Sequence, residues 1–151
     1  MPTAAPAANT RAVRLVRGGL AALSAYAAAI GMPALSAPAW FYRSFPLGRG
    51  WVAQLPPYNE HLVRDAGALF LGFAVLLGLA ATRPRRDLVR GALAAWTVTA
   101  VPHLLFHAIH PSGLTSADAA AQLTLLGVGV VLPLLLLRAA RALPRLADHP
   151  S

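Results

Sequence analysis

Cysteine and lysine are both missing from this 151-residue chain, and only five residues are Asp or Glu. The lack of cysteine excludes disulfides, thiolate metal sites, cysteine nucleophiles and redox-active dithiols together. Charge is scarce as well: 12% of residues are charged, about half the share usual in a soluble domain. Also missing are a serine–histidine–acid catalytic set, a phosphate-cradling loop and a dinucleotide fingerprint. What fills the chain is apolar, with 57% of residues hydrophobic, and that points to a membrane protein.

The formal net charge is +8, and all thirteen basic residues are arginine. In a soluble domain such a balance would suggest nucleic acid. Here the arginines fall in short clusters between long apolar runs, so they read as a topology signal. The expected partner is the lipid bilayer, with no nucleic acid.

Four apolar runs, at about residues 18–39, 61–81, 88–109 and 117–137, each reach the roughly 20 residues that a membrane-spanning helix needs. Backbone groups cannot find water in the hydrocarbon, so each run must pair its own N–H and C=O groups as a helix. The expected fold is all-α, a four-helix transmembrane bundle in one domain over residues 11–146, behind a disordered tail at residues 1–10 rich in Ala, Pro and Thr. A competing reading of the first run is a cleaved signal peptide, with Ala37-Pro38-Ala39 as a small-x-small site. The aromatic cluster Trp40-Phe41-Tyr42 instead fits an interfacial belt. Between the first and second runs, Pro46, Gly48, Gly50, Pro56 and Pro57 interrupt a linker whose Trp51, Val52, Leu55 and Tyr58 predict that it lies on the membrane surface.

Arginine counts set the expected orientation. Arg11, Arg14 and Arg17 precede the first run, Arg83, Arg85, Arg86 and Arg90 lie between the second and third, and Arg138, Arg141 and Arg145 follow the fourth. The other side holds only Arg43, Arg49 and Arg64. Loops rich in arginine stay cytoplasmic, so both termini are expected inside a multi-pass protein of the cell membrane. Small residues predict close helix approach along Ala21, Ala25 and Ala29, at Ala68 with Gly72, and at Ala74 with Gly78. Ser116 is placed to cap the fourth helix. Pro102 and Pro133 remove the backbone bonds to Val98 and Gly129 and predict bends.

The polar chemistry gathers at the outer ends of the second and third helices. Asn59 is placed to cap the second helix, with Glu60 in its first turn, where the helix dipole favours a negative charge. Glu60 with Arg64, and His61 with Asp65, stand four apart and share helix faces. Arg64 and Asp65 sit about 6–9 Å inside the helix start. Arg64 can snorkel outward, whereas Asp65 is too short and needs a partner: His61, Arg64 or a residue of another helix, with His103 and His107 the foremost candidates. The third helix runs outward and carries His103, His107 and His110 on one stripe. Counted back from His110, His107 and His103 lie about 4.5 Å and about 10.5 Å below the outer mouth. Glu60, His61, Arg64, Asp65, His103 and His107 are therefore expected in one layer, with Gln122 and Thr124 near it.

Several chemistries fit that layer. His103 and His107 could share a metal with a carboxylate or His61, although the run His103-Leu-Leu-Phe-His107 lacks the glutamate of a zincin motif. Imidazole and carboxylate could carry protons. The plainer alternative is that these side chains only fasten helices together. No cofactor is required by the sequence; a metal or a quinone stays open. Trp96 and Phe106 could seat a hydrophobic ligand or simply pack.

With Pro57-Tyr-Asn-Glu-His-Leu-Val-Arg-Asp65 and Val101-Pro-His-Leu-Leu-Phe-His107 in view, the chain resembles a group of small four-span membrane proteins of high-GC actinobacteria over residues 40–111. More distantly, its size and topology are similar to the DoxX-like superfamily. That superfamily implies an association with quinone-linked membrane redox complexes, but none of its functional residues matches a position here and no activity is carried over. The expected function is binding of a small lipophilic molecule or an ion in a polar pocket opening outward between the second and third helices. There, Glu60 and Asp65 would accept, Arg64 would clamp an anion or pair a charge, and His103 and His107 would carry protons or ligate. The alternatives are an interaction module within a larger membrane-protein complex and a membrane-embedded isomerase or oxidoreductase.

Overall fold

Helix starts follow from local chemistry. Asn59, in extended conformation, accepts a hydrogen bond from the Leu62 N–H at 3.1 Å, and Glu60 stands in the first turn behind it. The last long helix is capped one residue earlier than expected: Thr115, not Ser116, accepts from the Asp118 N–H at 3.2 Å. Each such cap satisfies one of the donors that a helix start leaves unpaired.

The computed structural model describes residues 10–110 and 113–143. The order is α1 (Thr10–Ser36), α2 (Pro38–Ser44), α3 (Glu60–Thr82), α4 (Arg86–Ile109) and α5 (Ser116–Ala139), with single 3-10 turns at Val52–Gln54 and Ala140–Ala142. No strand occurs among the described residues. Four of the helices, α1, α3, α4 and α5, are long and apolar enough to cross a membrane. The chain is thus an all-α multi-pass membrane bundle, with α2 and the linker joining the first two spans. Thr10 is already helical, and α1 continues through Arg11, Arg14 and Arg17, because arginine is a good helix former and its long side chain can leave the apolar layer. The rest of the expected tail, Pro111 and Ser112 of the third loop, and Arg145 lie outside the described residues.

α1 packs chiefly on α3, and α4 chiefly on α5. Among the small residues, the α1–α3 seam uses a partly different set from the expected one. A Cβ on Gly31 would lie 2.8 Å from the Gly67 carbonyl, and one on Gly67 would lie 2.6 Å from the Leu35 nitrogen. Nearer the other end of the pair, Ser24 donates to the Ala74 carbonyl at 2.7 Å and fills the space beside Gly78. Ala74 and Gly78 therefore serve as expected. Ala21, Ala25, Ala29, Ala68 and Gly72 do not: they are exposed, and a Cβ on Gly72 would meet nothing within 4 Å. Spacing by four fixes which residues share a stripe but not which stripe turns toward a neighbour.

Two arginines tie α1 to α3 at opposite ends. Arg17 of α1 donates to the Ala81 and Thr82 carbonyls in the last turn of α3, at 3.1 and 3.0 Å. Arg64 of α3 donates to the Leu35 carbonyl in the last turn of α1, at 2.6 Å. Each guanidinium satisfies carbonyls that a helix end leaves open and sits where the helix dipole favours a cation.

The tight core lies in the half of the bundle nearer the arginine clusters. Val16, Leu20, Leu77, Val89, Leu93 and Leu136 are fully buried there. Leu136 leans on Gly19, where a Cβ would come within 2.6 Å of it.

Candidate functional site

Pro133 has no N–H, so the Gly129 carbonyl one turn earlier loses its helical donor. Trp96 supplies the replacement: its indole N–H donates to the Gly129 oxygen at 2.7 Å in a buried setting. The indole is also ringed by aromatics. Tyr26, Phe70 and Phe73 meet it edge-on, with ring centroids 6.0, 6.1 and 5.5 Å away. Residues from α1, α3, α4 and α5 thus meet at one level and close the bundle across its width.

Above this floor the helices line a partly open cavity of about 700 Å³, a size usual for small-molecule sites. α3 presents Leu62, Ala66 and Leu69, and α5 presents Leu125 and Leu126. The linker forms the roof. It folds back on itself: Trp51 N–H donates to the Phe45 carbonyl at 2.8 Å, and Trp51 is only 8% exposed. Gly50 makes the turn, with φ at 63° and a Cβ position 2.9 Å from the Arg43 carbonyl, so no larger residue fits. Phe41, Phe45, Trp51 and Leu55 face the cavity from this side.

Polar groups enter the cavity mainly from α4 and α5. His103 and His107 both line it, their rings edge to face with centroids 4.8 Å apart, and Gln122 of α5 lines it as well. The stripe expected for three histidines holds for two. His110 is the C-cap of α4 and stacks on Phe106 at 4.4 Å, and neither residue lines the cavity. Thr124 bonds back to the Ala120 carbonyl at 2.8 Å and is likewise not part of the lining.

The ionisable residues of α3 do not join the histidines. Arg64 holds Glu60 through two nitrogens at 2.9 Å, besides the Leu35 carbonyl. Asp65 finds its partner one turn back on its own helix: His61 Nε2 stands 3.2 Å from it, and the Asp65 side chain is 61% exposed. None of the four lines the cavity, because it is the 62–66–69 face of α3 that borders it, and that face stays partly open. Among the described residues, no three His, Cys, Asp or Glu side chains gather as a metal site would need.

The roof is held by a residue that sequence reasoning passed over. Asp118, in the first turn of α5, accepts from Arg49 at 2.5 Å and from the Trp51 indole at 3.0 Å, both on Oδ1. Its other oxygen accepts from Thr115 at 2.8 Å. The Asp118 side chain is 14% exposed, so this is a partly enclosed junction between linker and bundle. A clue stood in the sequence: a lone aspartate in the first turn of an apolar helix, on the side that also holds Arg43, Arg49 and Arg64.

No protein-family model, curated protein or solved structure matches this chain, so its family is not assigned by comparison.

Proposed function

We propose that this membrane protein binds one small lipophilic molecule in the cavity between the Trp96 floor and the linker roof, on the non-cytoplasmic side of the cell membrane. One observation carries the reading: mostly apolar walls around about 700 Å³, with His103, His107 and Gln122 among the few polar side chains on them. Sites for small molecules are mostly apolar clefts with a few placed polar groups that fix orientation. Histidines within a span are functional candidates by default, since polar side chains there are otherwise unfavourable. The outward orientation is supported by the arginine-rich loops at the opposite end of the bundle.

In this role the α3 residues Glu60, His61, Arg64 and Asp65 are supports of the helix mouth. His103 and His107 are the ligand-facing groups. The test is native mass spectrometry of the full chain released from nanodiscs. Wild type is expected to retain a small lipophilic mass, and His103→Ala/His107→Ala and Ala66→Phe variants are expected to lose it while remaining folded. A wild-type protein that carries nothing, or variants that retain the same mass, would overturn the proposal.

A further inference from the structure

Every guanidinium and every carboxylate among the described residues lies outside the cavity lining. Most of the charged groups at that end of the bundle are, moreover, committed to other partners. Arg64 is held by Glu60 and the Leu35 carbonyl, Asp65 by His61, and Arg49 by Asp118. Arg43, the remaining charge on that side, is exposed and likewise off the lining, so no carboxylate or guanidinium stands on the wall to meet a charge inside the cavity. An ion carried into such a space would lose hydration without gaining a fixed partner, and that loss disfavours it.

What the cavity does offer is a run of neutral hydrogen-bonding groups. His103, His107 and Gln122 all stand on its wall, the two imidazoles edge to face. A neutral imidazole donates through one nitrogen and accepts through the other, and an amide does both as well. Such a run matches a hydroxyl or carbonyl head, which needs a donor, an acceptor or one of each. From His107 down to Trp96, α4 spans about 16 Å at 1.5 Å per residue. A molecule with its head at the histidines would therefore lay an alkyl or ring body along Leu125, Leu69 and Phe70 and end on the indole of Trp96.

From this we infer that the site selects an electroneutral lipophile with a hydroxyl or carbonyl head and discriminates against long-chain anions and cations of the same length. The inference rests on the cavity being a ligand site at all, and the experiment separates the two claims. In a Trp40→Phe background, the two remaining tryptophans, Trp51 and Trp96, both line the cavity. Contact with a bromine-bearing chain then reports occupancy by fluorescence quenching.

The full chain in phosphatidylcholine nanodiscs is titrated at pH 7.5 with 12-bromododecanol, 12-bromododecanoate and 12-bromododecylammonium, each expressed as mole fraction in the bilayer. Saturable quenching by the alcohol, at least tenfold tighter than by either ion and weakened in His103→Leu/His107→Leu, is the expected result. Equal or tighter binding of the carboxylate or the ammonium would overturn the electroneutral selection and leave the cavity as a ligand site. Absence of saturable quenching by all three would overturn both. If the double leucine variant fails to fold, Gln122→Leu serves in its place, with the same loss of preference for the alcohol expected and an unchanged preference counting against the inference.

Discussion

Trp96 and Gly129, 33 residues apart, are joined by a 2.7 Å hydrogen bond from an indole N–H to a carbonyl that Pro133 deprives of its helical donor. A deprived carbonyl in an apolar interior costs about 1–3 kcal/mol when left without a donor. Trp96→Phe should therefore destabilise the bundle by about that much. Pro133→Ala restores an N–H to the helix and should make the Trp96→Phe change less damaging. Thermal unfolding of both single variants and the double variant in one detergent gives the coupling, expected between about 0.5 and 3 kcal/mol. Strict additivity would mean that the indole bond carries no stability.

Two glycines on α3 should respond oppositely to the same substitution. Gly67→Ala places a methyl 2.6 Å from the Leu35 nitrogen, against backbone that cannot move aside easily. A loss of about 1–3 kcal/mol is expected from such overpacking. Gly72→Ala meets nothing within 4 Å, so the gain in helix propensity, about 0.5–1 kcal/mol, should show as a higher Tm.

Removing the Asp118 carboxylate should free the linker without unfolding the helices. In Asp118→Ala, Arg49 and Trp51 lose their shared acceptor. Trypsin should then cleave after Arg49 several-fold faster than in wild type, while helix content by circular dichroism stays the same. Unchanged cleavage would show that the turn from Phe45 to Trp51 holds the roof unaided.

Arg17 should not be replaceable by lysine. Its Nε and Nη2 reach two successive carbonyls, Ala81 and Thr82, a forked geometry that an ammonium cannot reproduce. Because the side chain is exposed, Arg17→Ala should cost only about 1 kcal/mol. Arg17→Lys should recover less than half of that loss in the same unfolding measurement.

Much of this architecture was legible in the sequence because it is local. The limits of α3, α4 and α5 followed from apolar run length, whereas α1 begins well before its run, at Thr10; the Asn59 cap, the Glu60–Arg64 pair and the His61–Asp65 pair followed from spacings of three and four. His103 and His107 share the cavity wall for the same reason. What spacing could not supply was the rotation of each helix about its axis. That rotation keeps Glu60, His61, Arg64 and Asp65 off the cavity, and it puts Gly31 and Gly67 in the seam where the Ala21–Ala25 stripe was expected. Long-range ties such as Arg17 to Ala81, Arg64 to Leu35 and Trp51 to Asp118 link residues 64, 29 and 67 positions apart. No periodicity encodes them.

The arginine ties have a consequence for how the molecule can deform. With Arg17 fastening one end of the α1–α3 pair and Arg64 the other, the two helices cannot slide along each other without breaking both clasps. α4 and α5 form the second pair, and the aromatic knot at Trp96 joins the two. The bundle is therefore two clasped helix pairs joined twice, at mid-height by the Trp96 knot and at the cavity end by the Asp118 junction with the linker, so widening the cavity would strain the second of these joints.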